Sequence, residues 1–498
     1  MTVREMNGIS CEVASPSGLS IPHIFFAATS DKIDLEFNDV RFRDGYPSFR
    51  GCDLGDQRRT RRLVRMIPQV LGNPGGTITG TWDDDPAAIK AAYRLFDCDR
   101  VTHPAVLSTH TQVVREAIAQ PGTYLLIEDT TSITPASGDA QGLGPVDNDG
   151  HIRGFWLHST LAARLDFADA VSDQNTVEVI GLLAQQAWVR DAKKKPRKEN
   201  NQQKLARSRE SGRWAVALDG IKPSASAKRI YVADRESDIW EVFDRCAKAG
   251  VSLVIRAAQD RTLADEGGRI RAAVEAMEVA DTRVVDLPRS QGEASRQATL
   301  QLRYGRLELS APYRPGQPAG SSTRSVNVVC LRETQTPEGV EPVEWLLLSD
   351  EPVQSVSDAW RVVAIYKRRW LIEEFHKGLK SGAGIEQSQL STAGKLMAWC
   401  GVLSVVTTWL LRQKLKCALP EQPPLTPADA DADLIALLEK RRGVPKQGWT
   451  AKTLTHAIAR AGGFMGRKGD GNPGWITLWR GWTRLHHQLI GYRLAMRQ

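Results

Sequence analysis

The stretch that most constrains this chain is Val363–Ser381, VAIYKRRWLIEEFHKGLKS. Helix formers dominate it and neither Gly nor Pro occurs before Gly378, so the sequence predicts one long helix here. Tyr366, Arg369, Glu373 and Lys380 follow one another at offsets of 3, 7 and 14 from the first. At about 100° per residue, all four fall within a sector of roughly 60°. Beside them runs an apolar stripe of Ile365, Ile372, Phe375 and Leu379. A helix of this kind docks on a sheet by its stripe. Its polar row, one phenol, two cations and one carboxylate, then lies along the edge of the dock. Taken alone, the row also fits a solvated face with i,i+4 pairs such as Arg369 with Glu373.

Two more carboxylates give the row a context. Thr123–Glu128 is an apolar run of strand type followed by Asp129, and Arg229–Ala233 is another followed by Asp234. Both Asp residues are expected where a buried strand ends, and active sites of open α/β sheets gather at such carboxyl ends. A single Asp there also serves as a cap or turn residue. Two of them with a Glu on a docked helix make a three-carboxylate, oxygen-only site, which suits Mg²⁺ and Mn²⁺.

The spacing Tyr366-x2-Arg369-x3-Glu373-x6-Lys380 does not stand by itself. In the same chain stand Leu54–Leu63 (LGDQRRTRRL), Ala91–Phe96 (AAYRLF), Ile127–Ser132 (IEDTTS), Arg153–Ser159 (RGFWLHS), Glu210–Trp214 (ESGRW), Asp234-Arg-Glu, Trp345–Ser349 (WLLLS), Arg369–Lys377 (RWLIEEFHK) and Gly462–Met465 (GGFM). On these blocks, from about Asp53 to the C-terminus, the chain resembles the DDE transposases of bacterial insertion sequences, in their YREK-signature cut-and-paste group. The resemblance implies an α/β fold: an RNase H-like (retroviral-integrase-like) catalytic core with a β-strand insertion, flanked by helical N- and C-terminal domains. It implies that Asp129, Asp234 and Glu373 are the catalytic metal ligands for two Mg²⁺ ions, Mn²⁺ substituting, with Asp129 bridging the pair. Tyr366, Arg369, Lys380 and Arg256 are implied DNA contacts. Trp345 is implied in a pocket for a flipped base, the alternative being core packing at a strand start. Arg59 and Arg62 match positions that contact the transposon end. The implied reaction is a nick by water, a hairpin made by the freed 3′-OH, reopening, and joining to target DNA. The implied partners are double-stranded DNA, both transposon ends and target, and a second copy of the chain in a synaptic homodimer.

The rest of the chain is read around that frame. A chain of 498 residues exceeds one ordinary core, so several domains are expected. Residues 1–50 are expected to be a poorly ordered extension, and 51–120 a helical DNA-binding domain with Arg58, Arg59, Arg61, Arg62 and Arg65 on one helix. The catalytic core is expected over 121–258 and 345–395, a β insertion over 259–344 with two strands around Gly305, and a helical dimerisation domain over 396–498. In the last, Trp475, Trp479, Trp482, Leu485 and Leu489 recur at helical steps and read as a dimer face, with an internal core as the other option. The formal charge of +8 favours a polyanionic partner. Seven cysteines without a CxxC argue against a zinc ribbon or a disulfide framework. No secretory leader is read at the N-terminus, and the longest apolar run, Gly401–Leu411, is too short to span a bilayer. A bacterial cytoplasmic, nucleoid-associated protein with no membrane partner is expected. His158 and His376 read as structural. A stand-alone metal nuclease and a non-cutting DNA-binding relic are the other functional readings. The arginine-rich block counts against the first and the three intact acids against the second.

Overall fold

The computed structural model describes residues 47–496 apart from 74, 83–84, 137, 167–175, 191–209, 265–267, 288–295, 313–321, 418–423, 427–429 and 468–469. The expected N-terminal extension, up to residue 46, and the basic stretch Lys193–Arg209 lie outside the described residues.

Apolar runs build the sheet. Strand β1 (Gly122–Ile133) pairs antiparallel with β3 (Arg153–Asp166), and β3 with β4 (Thr176–Trp188); a short β2 (Gly144–Pro145) flanks β3. On its other side β1 runs parallel to β5 (Ala227–Ala233), which runs parallel to β6 (Ser252–Arg256). The crossover between β5 and β6 carries a helix, Trp240–Ala249. Ile230, Tyr231, Val232 and Leu253, Val254, Ile255 are all buried. Continuous burial is what parallel strands covered on both faces require.

The segment expected as a β insertion does not leave this sheet. Strands β7 (Asp281–Leu287), β8 (Arg296–Ser310), β9 (Thr323–Glu333) and β10 (Glu344–Ser349) extend it from β6, in the order β6-β10-β9-β8-β7. The two strands expected around Gly305 are one. Strand β8 passes through Gly305, which pairs with Val328 of β9 and is not among the glycines of positive φ. Its missing Cβ admits Met277, whose Cε lies 2.7 Å from where a Cβ would stand. The glycine serves a close approach rather than a turn.

Helices cover both faces. In the N-terminal part, α1 (Pro47–Arg50), α2 (Gln57–Gly72), α3 (Ile78–Thr81), α4 (Pro86–Phe96) and α5 (His103–Ala117) precede the sheet. Asp56, Asp85 and Thr102 cap α2, α4 and α5 through their side-chain oxygens. Helix α5 lies against β4, where buried His110 accepts a hydrogen bond from the Leu182 amide at 3.0 Å.

The predicted long helix over Val363–Ser381 is three pieces. After the crossover helix (α6) and a short α7 (Ile270–Glu275), α8 begins at Val356 behind a capping box of Ser355 and Asp358 and ends at Lys367. Two tighter i→i−3 bonds follow, from Arg368 to Ile365 and from Arg369 to Tyr366. Helix α9 (Trp370–Lys377) resumes and runs into a π-helical turn, Gly378–Gly382. The predicted stripe is buried throughout: Ile365, Ile372, Phe375 and Leu379 are at most 1% exposed.

Helix α10 (Ala393–Lys416) is apolar nearly all round and longer as an element than the run Gly401–Leu411 suggested. By length and composition it could cross a membrane, but 78% of its apolar window is buried inside the protein. Its composition follows from its place beneath α5, β4 and α9. Helices α11 (Ala432–Arg442), α12 (Ala451–Ala461) and α13 (Trp475–Met496) close the chain. The expected dimer stripe is corrected here. Trp482, Leu485 and Leu489 are buried against Leu434, Leu438, Leu454 and Ile458 of the same chain, and Trp475 joins the main core. The exposed apolar residues of α13 are Ile476, Ile490, Leu494 and Met496.

Candidate active site

Strand register brings the two Asp residues together. The parallel β1–β5 ladder ends on the pair Glu128–Ala233, so Asp129 and Asp234 are the next residues on adjacent strands. Asp234 stands just past its strand, as expected, and opens a 3₁₀ turn by accepting the Glu236 amide at 2.9 Å. Asp129 differs: β1 continues four residues beyond it because β3 stays paired out to Ile133–Phe155. Only the parallel neighbour stops. Asp129 therefore faces a gap in the sheet from a strand held firmly on its other side.

Helix α9 packs over β1 and β3 and supplies Glu373. Arg369, 5% exposed, forms an ion pair with Glu373 through Nη2. The neighbouring Tyr366 is 3% exposed. The polar row is thus not a solvated face: its first two members are buried, Glu373 is 29% exposed on its side chain, and Lys380 is partly buried in the π turn.

Charge is unbalanced here. Burial, and then the charge of Asp234, push the Asp129 carboxyl up to about 7; Arg369 and the Thr130 amide oppose this, and Glu373 adds to it. Burial acts against the Arg369 cation, but Tyr366, Glu373 and Asp129 outweigh it and hold the guanidinium above its ordinary range. Lys380 is lowered by burial, against the pull of Glu386 and Asp129. These mutual shifts put the acids and cations within reach of one another. Among the described residues, no three His, Cys, Asp or Glu groups close on a single point. Glu373 is engaged by Arg369, and Asp129 with Asp234 forms the near pair. The donor set fits a hard divalent cation: it is all carboxylate oxygen, and Asp129 lacks enough positive charge around it to ionise readily.

The other predicted residues sort by place. Trp345 is the second residue of β10, is 5% exposed, and meets Tyr366 edge-to-face at 5.0 Å and 75°. Arg256 ends β6 and donates from Nη2 to the Glu344 carbonyl at 2.6 Å. Together with Arg369 they form one patch around Tyr366, whose hydroxyl is raised by burial while Arg369 and Arg256 pull it down. Arg59 and Arg62 are on α2, in a separate part of the molecule. Both are half-buried, and Arg59 donates to the Leu54 carbonyl at 2.9 Å. Arg58, Arg61 and Arg65 form the exposed side of the same helix.

Sequence reasoning passed over Glu128. This carboxylate, 1% exposed, accepts from Thr160 Oγ1 at 2.6 Å, the Ala215 amide at 2.7 Å and Tyr231 Oη at 2.5 Å. His158 Nε2 stands 3.5 Å away, and its Nδ1 is 2.8 Å from Thr130 Oγ1. Burial alone raises the carboxyl, but His158, Thr160 and Tyr231 prevail and hold it below the usual range. It anchors the strand on the face opposite Asp129. The signal was an acid closing the apolar run Tyr124–Ile127. His376 lies with Nδ1 4.0 Å from Asp129 Oδ2 and Nε2 3.3 Å from Ser159 Oγ, and burial lowers it to about 3. The imidazole is held neutral between Asp129 and Ser159.

Residues 47–101 match the transposase DNA-binding family, 204–408 the transposase DDE domain, and 412–497 the transposase Tn5 dimerisation domain. The chain carries the domains of a DDE transposase. Helix α2 falls in the first match, Asp234 and Glu373 in the second, and α11 to α13 in the third. Asp129 precedes the DDE match in sequence and joins Asp234 through the β1–β5 register alone. DDE transposase domains use divalent metal ions.

Proposed function

We propose that this transposase binds the inverted-repeat ends of its element, cuts them by way of a hairpin, and joins the 3′ ends to target DNA. The observation that carries the reading is the rung Glu128–Ala233, which sets Asp129 beside Asp234 beneath the helix of Glu373. The strand order β4-β3-β1-β5-β6, with three antiparallel strands and then two parallel ones, supports an RNase H-like core for 121–258 and 345–395. We take 51–120 as the DNA-binding domain, 259–344 as the insertion and 396–498 as the dimerisation domain.

Asp129, Asp234 and Glu373 would hold two Mg²⁺ ions. Such a pair activates the attacking oxygen and stabilises the leaving one. The remaining work is the chain's own. Arg369 offers a planar fork to a phosphate, and Lys380 a point charge. DNA engaging Arg369 would relieve Glu373 of its ion pair. Arg256 and Tyr366 contact the strand beside the cut, and Trp345 with Tyr366 forms the pocket for a base turned out of the bent hairpin. Arg59 and Arg62 hold the transposon end, and two copies assemble through the outer face of α13. The protein acts on nucleoid DNA in the bacterial cytoplasm. A stand-alone nuclease has no use for the DNA-binding and dimerisation domains.

The test is cleavage of duplexes bearing the element's own inverted repeat, with Mg²⁺. Asp129→Ala, Asp234→Ala and Glu373→Ala should each abolish cutting, by about 10³-fold or more, and leave end binding intact. A variant that cuts near the normal rate removes its residue from the site.

A further inference from the structure

The segment just after the Glu373 helix is gripped from two sides, and the grip is made at glycines. A Cβ on Gly382 would stand 2.0 Å from Trp479 Nε1, and one on Gly378 would stand 3.1 Å from Trp475 Cζ2. These two indoles of α13 are stacked at 5.6 Å and 10°. From the opposite domain, Gly75 lies just after α2: a Cβ on Gly384 would be 3.0 Å from the Gly75 carbonyl oxygen, and one on Gly75 would be 2.9 Å from that of Gly382. Trp482 donates from Nε1 to the Gly72 carbonyl at 2.6 Å, tying α13 to the end of α2. Lys414 pairs with Glu374, next to Glu373, and lies 5.0 Å from the Trp475 ring centre. The DNA-binding, DDE and dimerisation segments therefore meet at residues 378–384.

Lys380 is at the centre of that segment, in the π turn closed by the Ala383 amide on the Gly378 carbonyl at 2.7 Å. A π turn places its side chains differently from an α turn and persists where packing holds it. Among the described residues Trp479 Nε1 is buried without an acceptor, so its contact with Gly382 is one of shape. An indole is rigid and has no flexible end to yield.

We propose that Trp479 is a positioning residue: by packing on Gly382 it holds the π turn in the register that aims Lys380 at the DNA phosphate beside the catalytic acids. This rests on Lys380 being a DNA contact. The C-terminal helix thereby sets the geometry of the active site without touching DNA there.

The experiment uses the full chain and a duplex with the element's own inverted repeat, measuring end binding, melting temperature and single-turnover cleavage. Gly382 has an ordinary negative φ, so Gly382→Ala alters only the packing. It should keep end binding within about twofold and slow cleavage about tenfold or more, since a misplacement of about 1 Å can cost on the order of 10²-fold. Gly382→Ala with Trp479→Ala removes the clash and should recover part of the loss. In a Lys380→Ala background, Gly382→Ala or Trp479→Ala should cost less than about twofold further. Should Gly382→Ala fail to fold, the Trp479→Ala and Lys380→Ala cycle gives the same reading. Wild-type cleavage by Gly382→Ala, or full additivity with Lys380→Ala, overturns the positioning role. Wild-type cleavage by Lys380→Ala itself overturns instead the assignment of Lys380 to DNA.

Discussion

At the residue scale, Asp129 carries a conflict that titration exposes. Its carboxyl titrates near 7 in the folded protein, against about 3.9 in an unfolded chain. Below about pH 4 both states hold the proton and the group contributes nothing. Between about 4 and 7 the folded state keeps a proton that the unfolded chain releases. Stability of the metal-free protein should therefore fall as pH rises through that window, by at most about 1.4 kcal/mol per pH unit, and level off above it. Asp129→Asn should flatten the fall, and thermal melting in a chelator checks it; an unchanged slope means another group is responsible. Trp345 poses a different question, since it is nearly buried against Tyr366. Trp345→Ala should cost about 3–5 kcal/mol of stability as a core truncation. If the pocket reading holds, hairpin formation should also slow more than the first nick, and an abasic nucleotide at the flipped position should partly restore it. Equal loss of both steps leaves packing as its whole role.

At the element scale, α2 shows how one helix divides its arginines. Leu63, Met66, Ile67 and Val70 are buried, Arg59 and Arg62 flank that stripe, and Arg58, Arg61 and Arg65 face outward. Arg59 also holds the Leu54 carbonyl, so it braces the chain leading into the helix. Arg59→Ala and Arg62→Ala should each weaken end binding and lower the salt slope, by roughly one unit for each phosphate that is no longer neutralised. Binding isotherms at several salt concentrations decide this, and an unchanged slope would mark these side chains as structural. The Glu373 helix teaches a related lesson. Its 100° periodicity identified the buried stripe correctly, yet the break at Arg368–Arg369 and the π turn were invisible. The π turn packs against residues distant in sequence, the tryptophans of α13.

At the scale of the whole molecule, one sheet runs from the strand bearing Asp129 to β7, and the C-terminal helices lean on the end of the Glu373 helix. The Trp482–Gly72 hydrogen bond spans 410 residues, so the first and last matched domains are in direct contact. What α13 leaves exposed is Ile476, Ile490, Leu494 and Met496, apolar residues suited to a second copy. Ile490→Asp with Leu494→Asp should shift the protein toward monomer and reduce paired-end cleavage, while single-end binding survives. Light scattering with and without end DNA reads the first effect. Dimers of unchanged stability would move the interface elsewhere.

The sequence by itself determined the elements that depend on near neighbours. Apolar runs became strands, the 3.6-residue stripe became the buried face of the Glu373 helix, and caps such as Ser355 with Asp358 opened helices. It also determined which acids were candidates, because two strand-end Asp residues occur with a Glu on a helix that has a docking stripe. Tertiary structure alone decided the rest. Strand register, not proximity in sequence, sets Asp129 beside Asp234. Pairing with β9 carries β8 straight through Gly305. Trp482 faces inward because the same chain supplies Leu434, Leu454 and Ile458 to cover it, and Trp475 because it joins the main core. A helical stripe records that a face is to be covered, and the identity of its cover is a long-range property that periodicity cannot encode.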